Sequence, residues 1–332
     1  MKTLSGALRL TRPTLQRARV LPFVLALLLA TVALAAAEPA KIRVLIIDGQ
    51  NNHDWPAATA WLNTFLTGSG RCTVEVSTTP PKEIPANDPS WAAWAAKLAS
   101  HGWFSAYDVV VSNFNGGHQP NAPRWPAEVE AALEAYVRGG GGFVSFHAAN
   151  NAFLGWPAYN AMVGLLWRDK NFGPSLIIDE NEKIVVVPPG AGRTAGHPPR
   201  YTFQLTTLTT AHPITRGFPK KWLHPSEQLT HGQHGPQSVV AGGELTILTY
   251  AWSESVQERE PMDWVHAYGK GRVYVTMFGH TWKNEAPDNP NLHCAGFQTL
   301  FLRGVEWAAT GQVTVPIPAD FPTAEKISLR PD

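Results

Sequence analysis

Ile42-Arg-Val-Leu-Ile-Ile-Asp48 is a nearly continuous apolar run that ends on an acid. A strand buried on both faces reads this way, because a parallel sheet is covered by helices above and below. Working outward, Pro56–Leu66 reads as a helix, with Asp54 near its start and Pro56 in its first turn. Cys72–Thr78 alternates in strand fashion, and Trp91–Leu98 is a short Ala- and Trp-rich helix, read as an insertion. Val109–Asn113 is the next buried strand. Ala127–Arg138 is an amphipathic helix stopped by Gly139–Gly142, and Phe143–His147 is another short buried strand. Parallel strands need crossover connections, so this β-α-β-α-β order implies an α/β protein with a doubly wound parallel sheet.

The second half is less regular. Ile184–Val187, Tyr201–Leu205, Leu245–Tyr250, Asp263–Tyr268 and Val273–Met277 read as strands, and Tyr268-Gly-Lys-Gly-Arg272 as the hairpin turn between the last two. Leu292–Ala309 is a closing helix, ended near Gly311. Residues 38–313 therefore read as one domain, followed by a Pro-rich, extended tail over 314–332.

The amino terminus reads differently. Lys2, Arg9, Arg12, Arg17 and Arg19 precede an apolar run over Val20–Leu34, and Ala35-Ala36-Ala37 offers a small-residue cleavage site before Glu38. That order is a secretory signal peptide over residues 1–37. A retained anchor is the alternative, but this run is short of the roughly 20 residues that span a bilayer. The expected destination is the periplasm or the outside of the cell. Removing the five leader cations takes the formal charge from +1 to −4. That charge argues against nucleic acid or an anionic membrane as partner, since both need a basic face. Cys72 and Cys294 are the only cysteines. They either pair or remain buried thiols.

Ligands of open α/β sheets bind beyond the carboxyl ends of the strands. Past the first strand stand Asp48, Asn52, His53 and Trp55. Past the third stand Asn115 and His118, past the fourth His147 and Asn150, and past the last His280 and Trp282. Separate strands thus deliver His, Asn and Trp to one edge. His147 and His280 are the candidates for acid/base work or for a metal. Asp48, Asn52, His53, Asn115, His118, Asn150, Glu227 and Trp282 are candidates for binding substrate. Each also has a plainer role available: strand-end hydrogen bonding for His147, packing for His53, an Asx turn for Asn115 or Asn150. His224, Glu227, His231 and His234 gather in a segment that reads as irregular. Imidazoles and a carboxylate suit a divalent metal, for which His147, Glu227 and His280 are further candidates. Trp55, Trp156, Trp167 and Trp282 lie near the same edge and offer faces to a sugar ring. The run Gly139–Gly142 lacks GxGxxG or Walker order and precedes a strand, which argues against a nucleotide.

Several of these segments resemble the ThuA-like, or trehalose-utilisation, family. Val44-Leu-Ile-Ile-Asp-Gly-Gln-Asn-Asn-His-Asp-Trp55 is similar to its opening, and Gly140-Gly-Gly-Phe-Val-Ser-Phe-His-Ala-Ala149 to its central glycine-rich strand. His212-Pro-Ile-Thr-Arg-Gly217, Ser226-Glu-Gln228, Tyr268–His280 and Phe301–Ala309 follow in the family's order, over residues 42–311 in all. The chain departs from the family where it reads Ser226-Glu-Gln-Leu229, without the usual tyrosine. The resemblance implies a flavodoxin-like, class I glutamine amidotransferase-like fold and a link to trehalose or related sugars. An amidotransferase or esterase carries its nucleophile at the strand-end elbow, where this chain has His147. The expectations are therefore an exported protein acting on a small carbohydrate, a trehalose-like disaccharide or keto-glycoside, or a noncatalytic protein that binds one. The sequence leaves the cofactor open, with a divalent metal as the candidate, and leaves the oligomeric state open.

Overall fold

A computed structural model of the chain describes residues 40–117, 119, 122, 124–283 and 289–330, together with Thr3 and Gly6. The leader assignment therefore lies outside the described residues but for those two, and His118 lies outside them as well.

The elements in chain order are β1 (Ile42–Asp48), α1 (Trp55–Gly68), β2 (Cys72–Thr78), α2 (Pro89–Ser100), β3 (Val109–Ser112), α3 (Ala127–Gly139) and β4 (Gly142–Phe146). A single 3-10 turn over His147–Asn151 leads to α4 (Pro157–Val163), β5 (Ser175–Ile178), β6 (Ile184–Val187), β7 (Tyr201–Thr207) and β8 (Lys221–Glu227). Then come α5 (Gln237–Val240), β9 (Thr246–Ser253), β10 (Glu258–Tyr268), β11 (Gly271–Thr276), α6 (Pro290–His293) and α7 (Ala295–Thr310). Strands β2-β1-β3-β4-β11 lie side by side and parallel. That is the order of a flavodoxin-like doubly wound sheet, whose ligands bind beyond the strand ends where the winding reverses. The sheet continues antiparallel through β10-β9-β7-β8, and β5 and β6 branch from β10.

Both faces are covered. The Phe146 ring meets Trp61 of α1 and Phe301 of α7, whereas Phe143, three residues away on the opposite face, meets Tyr159 of α4. Asp54 caps α1 by accepting from the Ala57 amide at 3.3 Å, with Pro56 in the first turn as expected. The hairpin at Gly269-Lys270 closes β10 onto β11, also as expected. No helix of the described residues is long and apolar enough to cross a membrane.

Three differences from the sequence reading have physical causes. The segment holding His224 and Glu227 is not irregular but the strand β8, which among the described residues pairs with β7 alone. Pro225 hides it, since proline donates nothing to a ladder and is tolerated only at an edge. The strand β5 also escapes the reading, because four residues carry too little alternation. The closing helix is two helices, α6 and α7, parted at Cys294, whose ψ of 117° is extended. Cys294 and Cys72 are both buried free thiols, and burial pushes Cys72 up to about 11. Beyond α7 the chain lies on the domain. Glu306 accepts from the Thr314 and Val315 amides, and the Leu223 amide donates to the Thr323 carbonyl at 2.9 Å.

Candidate functional site

Three backbone reversals build the site at the carboxyl edge of the parallel strands. The first follows β1, where Gly49 takes φ +114° and a Cβ there would stand 2.7 Å from the Thr79 backbone. Only glycine fits that turn, and it releases the chain toward Asn51, Asn52 and His53. The second follows β4. His147 itself takes φ 44°, a left-handed conformation that is costly for a side chain other than Gly. The strand-end elbow is therefore present, and it carries an imidazole. The third follows β11. Gly279 takes φ +107° against the Phe146 ring, where a Cβ would be 2.2 Å away, and turns His280 inward.

The three imidazoles converge. His147 Nε2 lies 3.3 Å from His53 Nε2, and one ring nitrogen from each of His53, His147 and His280 falls within 4.8 Å of the others. The rings stand nearly perpendicular, with centroids 4.8, 5.1 and 5.4 Å apart. Trp282 lies flat over His280 at 6.0 Å and meets His53 edge-on. It is 45% exposed, at the mouth of the site. A cavity of about 410 Å³ opens onto the cluster and is lined also by Asn52, Asn150, Trp167, His197, Arg200 and Gln228.

Hydrogen bonds fix the tautomers of two rings. His147 Nδ1 faces the Met277 carbonyl at 2.7 Å, so it carries the proton and Nε2 carries the lone pair. For His53 the assignment runs through a chain of amides. The Gly117 amide donates to Asn115 Oδ1 at 2.9 Å, which turns Asn115 Nδ2 onto Asn52 Oδ1 at 2.8 Å. Asn51 donates through Nδ2 to the Asn113 carbonyl. Both Asn51 and Asn52 thus present oxygens to His53 Nδ1, at 3.1 and 3.0 Å. Nδ1 is the donor there, and His53 Nε2 is a bare lone pair aimed at that of His147. Burial, reinforced by the other histidines, pushes His53 down to about 2 and His280 down to about 3. Burial lowers His147 as well. All three are neutral at pH 7.

Glu227 is not in the cavity wall. It is fully buried behind the site, and Oε2 accepts from the Gly279 amide at 2.7 Å, the His280 amide at 3.3 Å and Asn291 Nδ2 at 2.8 Å. Asn289 and Asn291 donate from the other side to the His280 carbonyl, each at 2.9 Å. The carboxylate thus clamps the turn that carries His280. Burial would raise the Glu227 carboxyl, but His224, 3.6 Å away, with His147 and His280 beyond it, holds it well below the usual range.

The remaining candidates divide. Asn52 and Asn150 line the cavity. Asn150 donates to Gln233 Oε1 at 2.8 Å, and its Oδ1 meets no donor among the described residues. Asn115 acts one shell back, on Asn52. Asp48 does not orient His53. Its carboxyl lies beside Thr59 and Thr78 and is raised by burial, while Asn51 and Asn52 hold the ring. The group His224, Glu227, His231 and His234 does not assemble as a ligand set. His224 is walled in by Phe203, Phe278 and Phe297, and both nitrogens of His234 face carbonyls. Trp156 belongs to an aromatic core with Trp125, Phe153 and Tyr159. The sequence reading missed Asn51, His197, Arg200, Gln228, Asn289 and Asn291. Asn51 alone stands just past a strand that the sequence shows, since the strand before Gln228 is hidden by Pro225, so only there was a signal present.

Known proteins match this fold and this stretch of chain. Residues 43–308 match the family model "ThuA: Trehalose utilisation". A ThuA-like protein of Parabacteroides merdae ATCC 43184 is 33% identical, covers 88% of this chain and 98% of its own, and superposes with a TM-score of 0.74. A second, from Bacteroides uniformis ATCC 8492, is 15% identical over 84% of this chain and 95% of its own, with a TM-score of 0.51, and shares the fold. No curated protein matches the chain. The chain belongs to the ThuA trehalose-utilisation family, a membership that suggests a trehalose-related role and a carbohydrate ligand.

Proposed function

We propose that this is an exported protein acting on a small carbohydrate, a trehalose-like disaccharide or keto-glycoside, through a divalent metal held by His53, His147 and His280. The observation that carries this reading is the meeting of two bare imidazole lone pairs at 3.3 Å. Left alone they repel each other, so the arrangement calls for a shared cation. Two nitrogens each about 2.05 Å from one tetrahedral zinc stand about 3.3 Å apart, which is the separation found. The second-shell carbonyl and amide oxygens on Nδ1 are those that metal-bound histidines use.

Neutral rings also favour a metal over proton transfer. A general base works best with a pKa near the ambient pH, and His53 at about 2 and His280 at about 3 lie far below it. Bound to the three rings, a divalent cation supplies a Lewis acid for a sugar carbonyl or hydroxyl. The side chains do the rest. Trp282 and Trp167 offer faces to the ring, Asn150 Oδ1 accepts from a hydroxyl, and Glu227 holds His280 in place. The tryptophans and amides of the cavity wall also suit a protein that only binds sugar, which predicts saturable binding without product.

The test is NMR of the purified protein, with and without zinc, against trehalose, other disaccharides and their 3-keto derivatives, with His147→Ala as control. Product from the zinc-loaded wild type alone supports the proposal. Broadened ligand resonances without product support the binding protein, and full turnover by His147→Ala refutes the site.

A further inference from the structure

A second cavity, of about 500 Å³, lies beside the histidine cavity, and Asn52 lines both. Its walls are Gly49, Gln50, Trp55, Asn115 and the Gly116-Gly117 backbone, with Lys82, Glu83 and Lys283 among its exposed lining. Gln50 is 3% exposed. Its Nε2 donates to the Pro80 carbonyl at 2.7 Å, while Oε1 has no donor among the described residues. A buried acceptor left without a donor is unfavourable, so it marks a place where a ligand donor belongs. The half-buried Trp55 ring stands on the same wall.

We infer that this cavity is a second glycosyl subsite, which takes one neutral pyranose ring of a glycoside whose other ring lies over the histidines. The chemistry is that of a polyol. A sugar hydroxyl can donate to Gln50 Oε1 while the apolar face of its ring lies on Trp55, and amides that both donate and accept match vicinal hydroxyls. The two lysines and one acid are exposed, so they leave the buried wall uncharged. Sharing Asn52 makes the two cavities adjacent, as the two rings of a disaccharide require. The subsite rests on the carbohydrate reading and makes it specific: the ligand is a disaccharide or longer, not a monosaccharide.

The experiment compares trehalose with methyl α-glucopyranoside by calorimetry on the full folded protein, in wild type, Trp55→Leu and Gln50→Leu, with thermal melts to verify folding. Wild type is expected to bind trehalose at least about tenfold tighter than the monosaccharide, and either variant to erase most of that ratio. Should one variant fail to fold, the other gives the same reading. A ratio retained in a folded variant overturns the subsite. Equal affinity of wild type for the two sugars overturns it alone and leaves the carbohydrate reading in place. Binding of neither sugar overturns both.

Discussion

His53 Nε2 and His147 Nε2 stand 3.3 Å apart with the proton of each ring committed to Nδ1. The two residues are 94 positions apart in the chain and come from the ends of different strands. Zinc added to the protein should therefore bind with a stoichiometry of one. His147→Ala should lose that binding by at least about 100-fold, with any turnover. Ala keeps the left-handed strain already present at this position and gives up the Nδ1 bond to the Met277 carbonyl, so the fold should survive with a modest loss of stability. Calorimetry and thermal melting check both halves. Unchanged zinc affinity in the variant would sink the assignment.

The amide chain from Gly117 through Asn115 and Asn52 to His53 holds no ligand atom, yet it sets which nitrogen of His53 is bare. Asn115→Leu should lower zinc affinity by about 10–100-fold, the usual effect of losing a second-shell partner, and move the melting point little in the absence of metal. A variant with wild-type zinc affinity would show that Asn51 alone fixes the ring.

Stability should depend on pH through two sets of groups of opposite sign, which oppose each other between about pH 4 and 6.5 and leave one sign alone above it. His53 and His280 stay neutral in the fold down to about 2 and 3, whereas the unfolded chain protonates them below 6.5. At these two rings protons thus favour the unfolded state, and their contribution to stability falls as pH drops from 6.5 toward 3. Burial pushes Glu260 and Asp263 up to about 8, so the fold keeps protons that the unfolded chain has released above about 4. Their contribution falls as pH rises from 4 to 8. His224 opposes burial through Cys294 and Glu227, stays charged up to about 9 and adds the same sign above 6.5. Urea midpoints should then decline between pH 6.5 and 8.5. Asp263→Asn, which can still accept from Thr249, should flatten part of that decline. An identical slope in the variant contradicts the account.

Glu227 receives four donors, three on Oε2 and the Gln228 amide on Oε1, and faces His224 with both side chains fully buried. Glu227→Ala leaves those donors and a buried imidazole without their partner, and should cost about 3–5 kcal/mol. Glu227→Gln keeps an acceptor and should cost less, with zinc affinity mostly preserved. Chemical denaturation of the two variants separates clamp from ligand. Equal damage to metal binding by both, without loss of stability, would make Glu227 a ligand instead.

Export carries its own check. Expressed with its full leader, the chain should appear outside the cytoplasm with Glu38 as its first residue, read by intact mass. A cytoplasmic product beginning at Met1 would refute the leader.

Local pattern in the sequence determined the parallel half. Ile42–Asp48, Cys72–Thr78 and Ala127–Arg138 were legible because burial on both faces, alternation and amphipathic spacing each leave a mark within a few residues. Strand ends follow directly, so His53, His147 and His280 could be named as sharing one edge. Which nitrogens meet was decided only by the tertiary structure. The roles of Asn52 and Asn115 are set by each other across 63 residues, and that of Glu227 by a partner 52 residues away, and no periodicity encodes a hydrogen bond across that distance. The strand hidden by Pro225 shows the same limit: an edge position excuses a proline, and whether a strand lies at the edge is a property of the assembled sheet. A tautomer, likewise, belongs to the ring's surroundings and not to the residue.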